Sequence, residues 1–305
     1  MIKSKKAQIF TIISIFLLVL MFASFEIISI LKDRRTINDR VSSMENFLSS
    51  IEKNLGRQMY IAGYRIIFLA EAEVYSSPGY INASDFFNEA FFNGTVNGIE
   101  NQSFLIGVVY DDILSSINNK AAKINVDISL ANSFINVTQS DPWSVNFSMT
   151  SDFKMSDRSG LAYWNKKQMI SAMIPITEFE DPVFVKGAFT RIPRKIIRTP
   201  FEGTYFDVVS FSNISAQLSE GYYSNNSDAP NFLKRLEGDF SPDPNGIESF
   251  VDVAKLVQQG ISPEDKSVID HIYFSGNNPV ATQVDSSLPN WFKLDDEHKK
   301  RYQIP

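Results

Sequence analysis

The chain has 305 residues, 44% of them hydrophobic and 25 of them Phe, and a formal net charge of −6. It contains no cysteine, which excludes a disulfide framework and any thiolate metal site. Through Tyr80 there are 10 Lys/Arg against 7 Asp/Glu, hence +3, and beyond it 19 against 28, hence −9; an acidic bulk argues against nucleic acid and suits a solvated surface.

Residues 9–30 read IFTIISIFLLVLMFASFEIISI. About 20 apolar residues at about 1.5 Å each match a hydrocarbon core of about 30 Å, and only a helix satisfies its own backbone there. This predicts one transmembrane helix over 9–31, with membrane lipid as the first expected partner. Lys3, Lys5 and Lys6 make a basic region at 1–8, and Lys32, Arg34 and Arg35 follow the span. A long apolar core with no A-x-A-like site after it is unlike a secretory signal peptide. The basic flanks nearly tie, so they do not orient the span. N-x-[ST] acceptors at Asn82, Asn93, Asn101, Asn136, Asn146, Asn213 and Asn225 all lie beyond it. Such acceptors are used on extracytoplasmic loops. The expected placement is therefore single-pass in the cell membrane, N-terminus cytoplasmic and C-terminal domain outside. Glu26, under two helical turns from Lys32, is expected to reach the interface.

The junction Lys5-Lys6-Ala7-Gln8, followed by that apolar run, resembles the class III signal peptides of archaeal type IV pilin-like proteins. The resemblance covers about the first 31 residues. It implies prepilin-peptidase cleavage between Ala7 and Gln8 and an apolar helix retained on the mature protein. It also implies an α+β head, and assembly with further copies or pilin-like partners. Ile12 stands where many such proteins place a Glu. The alternative is an uncleaved signal anchor carrying a monomeric envelope binding or adhesion protein.

Ile37, Val41, Met44, Leu48, Ile51 and Leu55 are spaced 4, 3, 4, 3, 4, a heptad seam of about three repeats. No proline occurs before Pro78, so the helix is expected to run on through an extension at 32–75, with Gly56 and Gly63 as weak points. The seam can serve assembly with another copy or pack on the chain's own sheet. Ser76-Ser77-Pro78-Gly79 is the expected stop.

In the head, over 76–200, Phe86, Phe87, Phe91 and Phe92 read as core anchors on a short helix, and 110–123 as an amphipathic helix. Period-two alternation predicts strands at 124–130, 134–139, 144–155 and 161–176, an antiparallel meander covered on one face. The fold class is thus α+β: a long N-terminal helix packed on an antiparallel sheet, with additional short helices. Lys186, Arg191, Arg194, Lys195 and Arg198 form a basic run, read as a solvated loop or edge. The part at 201–305 mixes helices at 210–218, 231–236 and 247–258, a helix start at 262–265 and a buried strand at 268–274. Its segments Gly246-Ile-Glu-Ser-Phe-Val and Lys266-Ser-Val-Ile-Asp-His-Ile-Tyr-Phe274 look like text of uncharacterised archaeal surface proteins.

No G-x-S-x-G, H-E-x-x-H or phosphate loop occurs. His271 reads as a core residue in an apolar strand, far in sequence from His298. The one ligand candidate is Asp239, Asp243, Asn245 and Glu248, hard oxygens about a glycine turn that suit Ca²⁺ or simply cap the next helix. The expectation is a non-enzymatic, membrane-anchored structural surface protein, a glycoprotein with no cofactor other than a possible Ca²⁺.

Overall fold

A computed structural model of the chain describes residues 2–77, 79–100, 102–185, 194–206 and 210–304. One helix, α1 (Ile2–Ser76), runs unbroken through the expected span and extension. After it come α2 (Ala83–Asn88) with a π-turn at Glu89–Asn93, a small hairpin of β1 (Thr95–Val96) and β2 (Ile99–Glu100), α3 (Gln102–Leu105) and α4 (Tyr110–Ala122). Three long strands, β3 (Val126–Asp141), β4 (Ser144–Asp157) and β5 (Tyr163–Pro175), make an antiparallel sheet in the order β3-β4-β5. The rest is α5 (Pro182–Val185), α6 (Ser212–Glu220), β6 (Tyr223–Asn225), α7 (Phe232–Glu237), β7 (Ile247–Ser249), α8 (Val253–Gln258), α9 (Asp270–Tyr273), β8 (Ala281–Gln283), β9 (Lys293–Asp295) and α10 (Asp296–Arg301). Strands β6 and β7 pair, as do β8 and β9.

The two halves of α1 meet different surroundings. Large apolar side chains between 9 and 31 are 47–73% exposed, whereas Met44, Ile51, Leu55, Met59, Ala62, Ile66, Ala70 and Val74 are buried. The stripe recurs every three or four residues and lies against β4 and β5. The seam is therefore not a free assembly surface. Its members Met44, Ile51 and Leu55 are at most 4% exposed inside the chain's own head, Val41 and Leu48 are half-buried, and Ile37 is left outside at 39%. Arg40 fastens the neck: its guanidinium donates to Asp157 Oδ1 at 2.6 Å and to the carbonyls of Ile124 and Asn125 at 2.6 and 3.2 Å. That bond holds the Asp157 carboxyl below the usual carboxylate range.

At Gly63 helix and sheet approach closely. A Cβ there would run into Ile174 Cδ1 and stand 3.0 Å from the Phe147 ring, whereas Gly56 has open space. The four phenylalanines do anchor the core. Phe87 and Phe91 are fully buried, with the Phe91 and Phe147 ring centres 5.5 Å apart in an edge-on arrangement. The amphipathic helix α4 buries Ile113, Ile117 and Ala121 and packs along β3.

Several local expectations are corrected. The stretch 124–139 is one strand, not two, so the meander has three strands. Asn132 takes a left-handed conformation (φ 51°), and the register shifts between Ala131 and Phe134. A bulge therefore absorbs what looked like a turn, and Asn132 Nδ2 straps it by donating to Asp152 Oδ2 at 2.7 Å. The expected helix at 247–258 is strand β7 followed by α8, because Asp252 caps α8 by accepting from the Lys255 amide. Residues 262–265 do not start a helix; the Glu264 amide donates instead to the Tyr273 hydroxyl at 3.0 Å. The stretch 268–274 bridges Phe250 only at Ile269 and then turns into α9. In the basic run, Arg194 is a buried donor to Ser249 Oγ and the Phe250 carbonyl, while Lys195 and Arg198 pair with Glu178 and Glu202. Lys186 and Arg191 lie outside the described residues.

The glycines of α1 give a test of opposite signs. Gly63→Ala should destabilise the head by about 1–3 kcal/mol through overpacking. Gly56→Ala should stabilise it by about 0.4–1 kcal/mol by stiffening the unfolded chain. Denaturant melts of both variants in detergent check the pair.

Candidate functional site

The C-terminal part encloses a polar interior built around two charged side chains. The first is Arg235 on α7, fully buried. Asn231 caps α7 through the Lys234 amide, which fixes the start of a helix too short to persist alone. The Arg235 guanidinium contacts Asp181 Oδ2 at 2.6 Å and the two Asp270 oxygens at 3.1 and 3.2 Å, and also donates to the Ile247 carbonyl. Tyr223 adds a hydroxyl bond to Asp181 at 2.8 Å. Burial works against the Arg235 charge, and the two carboxylates outweigh it, so its pKa lies above the ordinary value.

The second is Glu248, in the middle of β7 and fully buried. Its Oε1 accepts from the Tyr302 hydroxyl at 2.8 Å and faces Arg301 Nε at 3.0 Å. Its Oε2 accepts from Asn226 Nδ2 at 2.6 Å. The same Oε2 faces both histidines: His298 Nε2 at 3.2 Å and His271 Nε2 at 3.5 Å. The imidazole rings, 27 positions apart in sequence, have centres 5.9 Å apart. Three elements set this up. Asp270, at the head of α9, accepts from the Ser249 amide at 3.0 Å and ties α9 to β7. Asp295 caps α10 by accepting from the His298 amide, and both its oxygens lie 2.7–2.9 Å from His298 Nδ1. Ser267 Oγ holds Asp295 from behind at 2.9 Å.

Burial opposes charge on His298, but its bonds to Asp295 and Glu248 win and hold its pKa up at about 10. Against burial, His298 holds Asp295 down at about 2, and the facing imidazoles of His271 and His298 hold Glu248 well below the carboxylate range. His271 Nε2 is buried without a hydrogen bond. Both histidines line a cleft of about 580 Å³, whose rim includes Asp228, Asn277 and Glu297. Two imidazole nitrogens and a carboxylate oxygen converging within 4.8 Å can share a proton or a cation.

The sequence reading missed this constellation. His271 is on α9, not in a strand, and it converges with His298 after all. The one local signal was Asp295 three residues before His298, a cap that also orients the ring. The Ca²⁺ candidate set does not gather. Both Asp239 oxygens accept from Ser241 at 2.8 Å, Asp243 accepts from the Asn245 amide at 2.9 Å, and Asn245 donates to the Gln139 carbonyl. Glu248 is instead buried in β7 and faces Asn226, Tyr302 and His298, and Gly246 before it leaves no room for a Cβ beside the carbonyls of Ala229 and Asn226. Among the acceptors, Asn82, Asn93, Asn136 and Asn225 are exposed and Asn146 and Asn213 half-buried, while Asn101 lies outside the described residues. Ala7 and Gln8 lie near the start of α1, and Glu26 is exposed on it.

Another buried acid belongs to α1. Glu71 lies against Glu180 in an apolar cleft with Phe68 and Tyr75, and its Oε1 has no hydrogen-bond partner. Burial, then the charges of Glu180 and Asp181, push its pKa up to about 9. A carboxyl whose folded pKa is raised stabilises fully below its unfolded value of 4.5 and progressively loses that contribution as pH rises to 9.

Two outcomes follow for stability. Melting temperature should fall as pH rises from 5 to 9, and Glu71→Gln should flatten that slope and raise the melting temperature at pH 8. Arg235→Met, which strands Asp181 and Asp270, should cost about 3–5 kcal/mol in chemical denaturation.

Comparison of the chain with protein-family models, curated proteins and solved structures finds no match.

Proposed function

We propose that the chain is a membrane-anchored cell-surface structural protein, pilin-like in plan and non-enzymatic, held or assembled through its N-terminal helix. The observation that carries this reading is the division of α1. Its apolar segment has none of its length buried in the protein, while the continuation of the same helix is the spine of the head. An uncovered stripe of that length and composition suits lipid, or a bundle of like helices. The exposed acceptors at Asn82, Asn93, Asn136 and Asn225 support an extracytoplasmic head. Because the seam is occupied within the head, assembly on this reading uses residues 9–39, not the heptad positions from Met44 on. A second reading, an envelope binding protein carried by an uncleaved anchor, is favoured by the cleft floored by His271 and His298.

Fractionation and N-terminal sequencing test the proposal. The full chain should stay with membranes after alkaline extraction, and a variant lacking residues 1–36 should become soluble. A mature chain starting at Gln8, in filaments or complexes of several copies, is the expected result. An intact Met1 on a membrane-held monomer would move the assignment to the second reading. A full chain recovered as a soluble monomer would sink both.

A further inference from the structure

The polar interior contains a donor set that the anchoring role does not use. We propose that Glu248, His271 and His298 bind one divalent transition-metal ion of the zinc type, with a further coordination position facing the cleft.

The distances favour a metal of this size. Ligand atoms about 2.0–2.1 Å from a tetrahedral ion stand about 3.3 Å from one another. Here Glu248 Oε2 is 3.2 Å from His298 Nε2 and 3.5 Å from His271 Nε2, and the three donor atoms lie within 4.8 Å of one another. A shared proton accounts for the first contact but not the second. His271 Nε2 lies 3.5 Å from the same oxygen, is buried, and makes no hydrogen bond. A cation between the three atoms gives that nitrogen a partner.

The surroundings are those of a metal-binding imidazole. Ligating histidines characteristically give their other ring nitrogen to a carboxylate, which fixes the tautomer. Asp295 does this at His298 Nδ1, and Ser267 braces Asp295 in turn. Tyr302 and Arg301 occupy Oε1 of Glu248, and Asn226 reaches Oε2, so Oε2 is held toward the rings. Arg301 places one positive charge nearby, and Glu248 and Asp295 supply two negative ones. Binding replaces the Nε2 proton of His298 by the metal, and that proton passes to solvent.

The donor types select the ion. Two imidazoles and one carboxylate suit zinc and its neighbours, while Ca²⁺ and Mg²⁺ take shells of oxygen. Structural zinc sites are closed by four protein ligands, and three-ligand sites keep a place for water or a small ligand. Both histidines line the cleft of about 580 Å³, so the remaining place opens there.

The test uses the full chain in detergent, made without a histidine tag and stripped with a chelator. Zn²⁺ should bind at one ion per chain by calorimetry. His271→Ala should weaken it by at least about 100-fold, and Asp295→Asn by about 10–100-fold. His271 is buried, so His271→Ala also removes packing; its metal-free melting temperature is measured beside its affinity, and His271→Gln, which keeps most of the side-chain volume, should lose the ion as well. Co²⁺ in the unaltered chain gives a readout independent of any variant. It should show the intense visible bands of a four-coordinate ion, and azide should shift them. Zn²⁺ binding no tighter to the unaltered chain than to His271→Ala would overturn the site. Cobalt bands that azide leaves unmoved would overturn the open position.

Discussion

A helix of 75 residues presents one long apolar stripe, and the head exists because part of that stripe is roofed by a sheet. The contact depends on close approach at Gly63, where Phe147 and Ile174 sit against bare backbone. Strands β5 and β4 supply the roof, and Val145, Phe147, Met149, Phe153 and Met155 of β4 are almost fully buried. The phenylalanines of α2 and its π-turn close one side, and α4 runs along β3. Burial of this kind is worth about 25 cal/mol per Å² of apolar surface, so the buried stripe of α1 contributes to the cohesion of the first 176 residues.

Beyond the sheet the chain changes strategy. Its helices there are four to nine residues long and its strands three, too short to persist by local propensity. Without cysteine, buried ions and hydrogen bonds specify how they meet. Arg235 and Glu248 are the two hubs, and they are linked through adjacent residues. Ile247 gives its carbonyl to Arg235 while Glu248 gives its carboxylate to the histidines; Asp270 binds Arg235 while His271 faces Glu248. A displacement at one hub is transmitted to the other over a single peptide bond. Buried ion networks add little net stability but penalise wrong arrangements heavily.

The parts legible in the sequence were those written in a regular period. The long helix, the amphipathic helix now seen as α4, the phenylalanine anchors and the alternation of β4 and β5 follow from spacing alone. The reading failed where one side chain overrode the period. Asn132 turned a presumed reversal into a bulge, and Glu248 was drawn inward, making 247–249 a strand inside an apparent helix. The histidine pair was illegible for a different reason. Its members are 27 residues apart, and their convergence depends on Asp270 and Asp295, which sequence shows only as ordinary helix starts. The acidic turn at 239–246 drew attention because its oxygens are close in sequence, but each is spent on its own loop.

The Arg40 clamp fixes where the head begins, and so sets a stand-off. With 9–31 in a hydrocarbon layer, the nine residues from Leu31 to Arg40 hold the head about 14 Å away along the helix axis. That exceeds the roughly 8 Å screening length of physiological salt. A head region carrying −9 thus stands beyond the electrostatic reach of anionic headgroups, while Lys32, Arg34 and Arg35 occupy the gap. On that placement the neck would act as a charge spacer: the repulsion that would tilt an acidic body on an acidic surface is screened out, and the unbroken helix with its Arg40 clamp keeps the head in line with its stem.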